Sequence, residues 1–125
     1  MSQVQYSEIT KDDGKALVEL GALMHSESSY SGLSFNPSRV LETFAWYLGD
    51  VHRTCFLAKR DGKPVGLYAG YIAKYYFSDE YVANDIAWFV VKELRGTRTG
   101  LRLLDLFENW ATENGASEVR VGYST

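Results

Sequence analysis

The chain has 125 residues, 46% apolar and 14% aromatic, with a formal net charge of −3; it can bury one core and is too apolar for disorder. Its single cysteine, Cys55, excludes an internal disulfide framework and a multi-cysteine metal site, and the acidic balance argues against broad nucleic-acid binding. No apolar run reaches the roughly 18 to 20 residues of a membrane span, and the N-terminus lacks signal-peptide features, so we expect one soluble, cytoplasmic domain over residues 1–125 without a metal.

In chain order, "QVQYSEI" reads as a first strand. Thr10 and Asp13 have capping-box spacing, and Leu17, Leu20, Leu23 and Met24 then recur on one helical face. A Ser/Gly-rich loop, "SESSYSGLSFNPS" at residues 26–38, leads to a second helix. Asn36 caps it, Pro37 opens it, Val40, Leu41, Phe44, Tyr47 and Leu48 supply its apolar face, and Gly49 is placed to end it. "TCFLAKR" and "KPVGLYAGYIAKYYF" flank the pair Asp61-Gly62, a two-residue hairpin signal. "YVANDIAWFVV" follows as a third strand of the meander, and its nearly continuous hydrophobicity predicts a central position. From Thr99, Leu103, Leu104, Phe107, Trp110 and Ala111 form an apolar helical stripe that Gly115 stops, and "SEVRVGY" closes the chain as a short strand. The order is β-α-α-β-β-β-α-β.

The segment "FVVKELRGTRTGLRLL", residues 89–104, passes from a buried strand through a glycine-bracketed basic turn into a helix. A helix start leaves backbone N–H groups unpaired and carries partial positive charge, which suits phosphate. Gly96 and Gly100 remove side-chain bulk there, while Arg95 and Arg98 add charge. Spacing alone leaves an anion cradle and a simple tight corner equally open, because "GTRTG" is neither a P-loop nor a dinucleotide turn.

Topology and turn together resemble the GNAT family of N-acetyltransferases, whose diagnostic segment is a strand, then Arg/Gln-x-x-Gly-x-Gly/Ala, then an amphipathic helix. Here that segment reads "WFVVKELRGTRTGLRLLDLF", with Arg95, Gly96 and Gly100 in signature positions and Arg98 standing where the family has its middle glycine. The resemblance implies a mixed α/β fold of the α+β kind, with a mostly antiparallel central sheet flanked by helices. It also implies that backbone amides of Arg95, Gly96, Thr97, Arg98, Thr99, Gly100 and Leu101 hold the pyrophosphate of acetyl-CoA. The pantetheine arm would run beside Phe89, Val90 and Val91, and a V-shaped opening between the fourth and fifth strands would admit the thioester. Arg98 needs no glycine if its φ is negative, and is expected to be accommodated.

Transfer to an amine requires a base, because a primary amine is protonated at neutral pH, together with a donor for the developing oxyanion and an acid for the thiolate. Asp85, in the strand before the signature, is the candidate base or water-orienting carboxylate, weighed against a backbone-capping role. Glu93 reads as solvated, His25 has suitable side-chain chemistry but lies late in the first helix, and His52 receives no role. The aromatic run Tyr68, Tyr71, Tyr75, Tyr76 and Phe77 reads as core or interface and not as a base-stacking platform. Tyr30 and Phe35 are the acceptor-pocket candidates, because in the family the loop carrying them covers the acceptor site.

The chain stops at "RVGYST", whereas most members of the family continue with another helix, which often supplies a tyrosine acid, and two strands. Tyr123 lies before that helix and does not inherit its role. A naturally short chain, a truncated one and completion by another subunit all remain open, and an unfinished edge favours a homodimer. The leading expectation is an N-acetyltransferase moving acetyl from acetyl-CoA to an amine, a small molecule or lysine, by direct attack in a ternary complex. Open alternatives are a non-catalytic module binding CoA or a protein, and a PAS-like or profilin-like sensor.

Overall fold

Period-two segments in the middle of the chain assemble one five-stranded sheet. A computed structural model of the chain describes residues 3–122. Strands β1 (Val4–Glu8), β2 (Arg53–Arg60), β3 (Lys63–Lys74), β4 (Tyr81–Val90) and β5 (Ala116–Arg120) lie side by side in chain order. The first four are antiparallel neighbours, and β5 runs parallel to β4. The β2–β3 hairpin closes through Asp61 and Gly62, at φ 54° and 76°, with Arg60 paired to Lys63. Both turn residues thus take the left-handed conformation that a two-residue hairpin of this twist requires.

Helices α1 (Gly14–Glu27) and α2 (Pro37–Gly49) pack on one face of the sheet and α3 (Thr99–Glu113) on the other. Alternation along β3 decides which residue meets which layer. A Cβ on Gly66 or Gly70 would meet Leu103 or Phe107 of α3, and Tyr68 between them stacks on Phe107 with ring centroids 4.6 Å apart. Leu67 and Ala69 face α1 and α2 instead. At Gly70 the approach is so close that an added Cβ would lie 2.4 Å from the Phe107 ring and 2.6 Å from the Asn84 carbonyl. Burying Phe107 completely contributes about 2 to 3 kcal/mol.

β4 lies between β3 and β5, an inner strand as expected, although β3 holds the middle place. Two expectations change. In α1, Leu17 and Leu20 are buried but Leu23 is 40% exposed on the rim. In α2, Phe44 and Tyr47 form the buried stripe while Leu41 and Leu48 turn outward, and Gly49 is the last helical residue, followed by Asp50 as cap.

The start of α1 is tied to the sheet through one carboxylate. Asp13 accepts the Thr10 N–H at 2.8 Å, and its other oxygen accepts from Lys59 Nζ on β2, also at 2.8 Å. Burial raises the Asp13 pKa, but the bonds from Lys59 and Thr10 outweigh it and hold the carboxyl below its ordinary 3.8. A depressed pKa stabilises the fold above the unfolded value and loses that effect as pH falls through the folded value. Asp13→Ala should therefore lower unfolding free energy by about 2 kcal/mol at neutral pH. Urea denaturation should show that deficit shrinking on acidification below about pH 4; a deficit independent of pH would contradict the assignment.

Candidate active site

The site begins where two strands part. β5 pairs with β4 only from Tyr81 to Asn84, which sits opposite Arg120. Beyond that point the outer edge of β4, residues 85–90, has no strand beside it among the described residues. The register on the other side shows why β4 swings away: Ala87 pairs with Ala69 but Asp85 pairs with Gly70, so Ile86 is an extra, bulged residue. A bulge bends its strand and increases local twist. At the fork, Asp85 Oδ1 accepts the Gly122 N–H at 2.9 Å, which anchors the chain just past β5.

The other end of this open edge runs into the glycine-bracketed turn. The Val91 N–H donates to the Val65 carbonyl at 2.9 Å, keeping Val91 in the β3 ladder, and a 3-10 turn over Lys92–Leu94 follows. Gly96 then takes φ 86°, a conformation that side chains disfavour. The Thr97 hydroxyl donates to the Leu94 carbonyl and accepts the Thr99 N–H at 3.3 Å. Trp88 Nε1 donates to the Gly100 carbonyl at 3.2 Å, clamping the start of α3 to β4. Among the described residues, the N–H groups of Arg98, Gly100 and Leu101 have no partner within the fold. Gly100 and Leu101 border a cavity of about 270 Å³ that Trp88, Val90, Leu94 and Gly96 also wall. Thr97 and Arg95 complete its rim, whereas Thr99 is buried.

Arg98, the unusual member of the turn, has φ −79° and ψ −4°. It needs no glycine, as expected, and its exposed side chain is not part of the cavity wall. Arg95 behaves differently. Its Nε donates to the Val90 carbonyl at 2.9 Å, its Nη2 meets Glu27 Oε1 at 2.6 Å, and its guanidinium lies 5.4 Å from the Phe89 ring centroid. The side chain thus folds over the open edge and joins it to α1.

Beyond Arg95 lies a second cavity of about 870 Å³ between α1, α2 and β4. Trp88, Val90 and Arg95 border both cavities, so the two adjoin. Tyr30 and Phe35 both line the larger one, as does Phe89. Asp85 does not: its carboxylate holds Gly122, and its charge helps raise the pKa of Tyr68, a residue on the α3 face, after the larger effect of burial. Cys55 borders the cavity with a thiol pushed up to about 12, chiefly by burial. Glu93 is exposed, and His52 packs on the Tyr81 ring. In the aromatic run Tyr68 is fully buried and Tyr76 fully exposed, so the residues do not share one platform. Tyr123 lies outside the described residues.

Four residues here escaped sequence reading as parts of a site. Trp88 and Leu94 receive no role from the sequence, although period-two alternation puts Trp88 with Val90 on the face that meets the turn. Glu27 is 68 residues from its partner Arg95, which no local pattern reveals. His25, late in the first helix, reads as a surface or loop histidine, yet its Nε2 is buried without a partner and its ring packs 5.4 Å from that of Phe35. No group of three or more His, Cys, Asp and Glu among the described residues is arranged to hold a metal.

The two glycines of the turn serve different purposes, which substitution separates. Gly96→Ala should cost about 1 to 2 kcal/mol from left-handed strain. Gly100→Ala, whose Cβ meets nothing closer than 3.6 Å, should stay within about 0.5 kcal/mol of wild type. Equal losses in urea denaturation would contradict this division.

The profile of the acetyltransferase (GNAT) family matches residues 20–123. No curated protein matches the chain. Among solved structures, an aminoglycoside N-acetyltransferase, AAC(6')-Iy, in complex with CoA superposes with a TM-score of 0.83 at 18% identity, covering 99% of this chain and 79% of its own. A predicted acetyltransferase with acetyl-CoA from Clostridium acetobutylicum gives 0.82 at 15% identity, covering 98% and 82%. Glucosamine-6-phosphate N-acetyltransferase from Arabidopsis thaliana gives 0.79 at 12% identity, covering 98% and 84%. At these identities the superpositions speak for the fold, and the profile, which spans most of the chain, carries the assignment: this protein belongs to the acetyltransferase (GNAT) family.

Proposed function

We propose that this protein acetylates a primary amine by direct attack within a ternary complex. Acetyl-CoA is the cosubstrate, as for the neighbours crystallised with CoA or acetyl-CoA. The observation that carries the reading is the meeting of an unpaired strand edge with a bare helix start: residues 85–90 lead directly to the free amides of Arg98, Gly100 and Leu101. These amides and the small cavity beside them suit a pyrophosphate, and the absence of a Cβ on Gly100 leaves the approach open.

In this reading the turn from Arg95 to Leu101 holds the phosphates, and the backbone of Phe89 and Val90 pairs with the amides of the pantetheine arm. Arg95 Nε must first release the Val90 carbonyl so that a pantetheine amide can take that acceptor, while Nη2 keeps its pair with Glu27. Bound acetyl-CoA supplies an acetyl thioester: its C–S bond breaks as the C–N bond forms, the ammonium gives up one proton to a base or solvent and a second to the departing thiolate, and CoA leaves as the thiol. Tyr30 and Phe35 border the acceptor side. Asp85, tied to Gly122, acts as a positioning residue at the fork. The Cys55 thiol, held protonated, is no nucleophile, which favours direct transfer over an acyl-cysteine route. A cytoplasmic home and a homodimer through the outer edge of β5 belong to the same proposal, the latter read by light scattering.

Calorimetry should show one acetyl-CoA site per chain, and thiol release should depend on added amine. Gly100→Glu should weaken binding at least tenfold, about 1.4 kcal/mol, in a protein that remains folded. A folded wild type without CoA-dependent heat would remove the donor site, and binding without turnover would favour a non-catalytic module. Asp85→Asn should leave the pH dependence of kcat/KM unchanged; loss of a limb of that profile would instead make Asp85 the base.

A further inference from the structure

We propose that the acceptor is a hydrophobic amine of single positive charge, an arylalkyl or alkyl amine, whose apolar body fills the cavity between α1, α2 and β4. This rests on the acetyl-transfer reading above and concerns the other substrate.

The cavity wall is aromatic and aliphatic over most of its extent, with Phe35, Phe44, Trp88 and Phe89 from three different elements. At about 870 Å³ it falls within the range of sites that enclose a small organic molecule. A wall of this kind rewards apolar area at roughly 25 cal/mol per Å².

Its charges are the wrong sign for a polycation. The charged residues on the wall are Glu27, Arg39 and Arg95, two arginines against one glutamate. The Glu27 carboxylate is already paired with Arg95 at 2.6 Å, and Arg39 makes no ion pair among the described residues. Each further ammonium of a polyamine or aminoglycoside would lose its hydration without gaining a carboxylate. The acidic excess of the whole chain is therefore not expressed at this wall.

The wall does offer a place for one polar head. His25 Nε2 and the Tyr47 hydroxyl, on wall residues of α1 and α2, are both shielded from solvent and lack a hydrogen-bond partner. An unsatisfied buried polar atom is costly, and a bound amine relieves that cost after small side-chain shifts. Burial first, then the nearby Cys55, push the Tyr47 hydroxyl up to about 12, so it remains neutral. Arg53 lies over the same ring, 5.8 Å from its centroid, and draws the hydroxyl pKa part of the way back down, although its guanidinium does not reach hydrogen-bond geometry with the hydroxyl. Two unpartnered polar atoms in an apolar enclosure match a compact amine head on an apolar body.

The test compares 2-phenylethylamine with spermidine and kanamycin, by calorimetry on the CoA-saturated protein and by thiol release with acetyl-CoA. Phenylethylamine should bind with a negative heat-capacity change and show kcat/KM at least about tenfold above either polycation. Tyr47→Phe should raise its Kd about fivefold without lowering Tm, because the removed hydroxyl has no partner. Equal or tighter binding of spermidine or kanamycin overturns the proposal. So does CoA binding without any phenylethylamine heat, which leaves the donor reading intact. Unchanged affinity in Tyr47→Phe overturns the role of the polar head. If CoA itself fails to bind, the donor reading falls, and calorimetry of phenylethylamine on the CoA-free protein decides the cavity separately.

Discussion

The structure depends on an unpaired strand edge held open inside a sheet. Backbone N–H and C=O groups in a protein interior demand partners, and an exposed edge invites another strand. Here β4 keeps its outer edge free along residues 85–90 because three features act together. The Ile86 bulge bends β4, Asp85 anchors Gly122 across the fork, and α3 packs close over Gly70, where no side chain fits. The small cavity at the start of α3 and the large one between the first two helices adjoin along this edge. Trp88 serves both, bordering each cavity while its ring nitrogen holds the first turn of α3.

Arg95 gives the edge a second state. Its bond to the Val90 carbonyl satisfies one of the open edge's acceptors, and its pairing with Glu27 neutralises a carboxylate at the mouth of the larger cavity. Both contacts are partly exposed, and exposed ion pairs contribute little. The arginine is accordingly a replaceable occupant of the edge and not a structural brace. Its position also explains why whole-chain charge is a poor guide to the acceptor: −3 describes the entire surface, whereas the cavity wall carries more cationic than anionic side chains.

Much of the fold was legible because it is written in local chemistry. Asp61-Gly62, Asn36-Pro37 and the stripe Leu103, Phe107, Ala111 act over a few residues, and each is realised in the structure. The Arg98 departure was also readable, since only a left-handed φ would have demanded glycine. What was not legible depends on distance or on facing. Hydrophobicity along β4 marks an inner strand but does not say that β3 holds the middle place. The bulge at Ile86 leaves no mark in a period-two pattern, yet it decides which neighbours of Asp85 lie on which face. In the sequence Asp85 reads as a base or as a backbone cap, and its Gly122 partner, 37 residues away, leaves no local mark. His25 failed for the opposite reason, because burial of one ring nitrogen depends on how Phe35 returns from the following loop.

The central claim is that the open edge and the bare amides of the turn together form the donor site. Amide-resolved NMR of the protein during CoA titration tests it most directly. The account predicts that the largest shifts, saturating at one equivalent, fall on the N–H groups of Arg98, Gly100 and Leu101 and along residues 85–90. Saturable binding that leaves these amides unmoved, with the main shifts elsewhere on the chain, would contradict it.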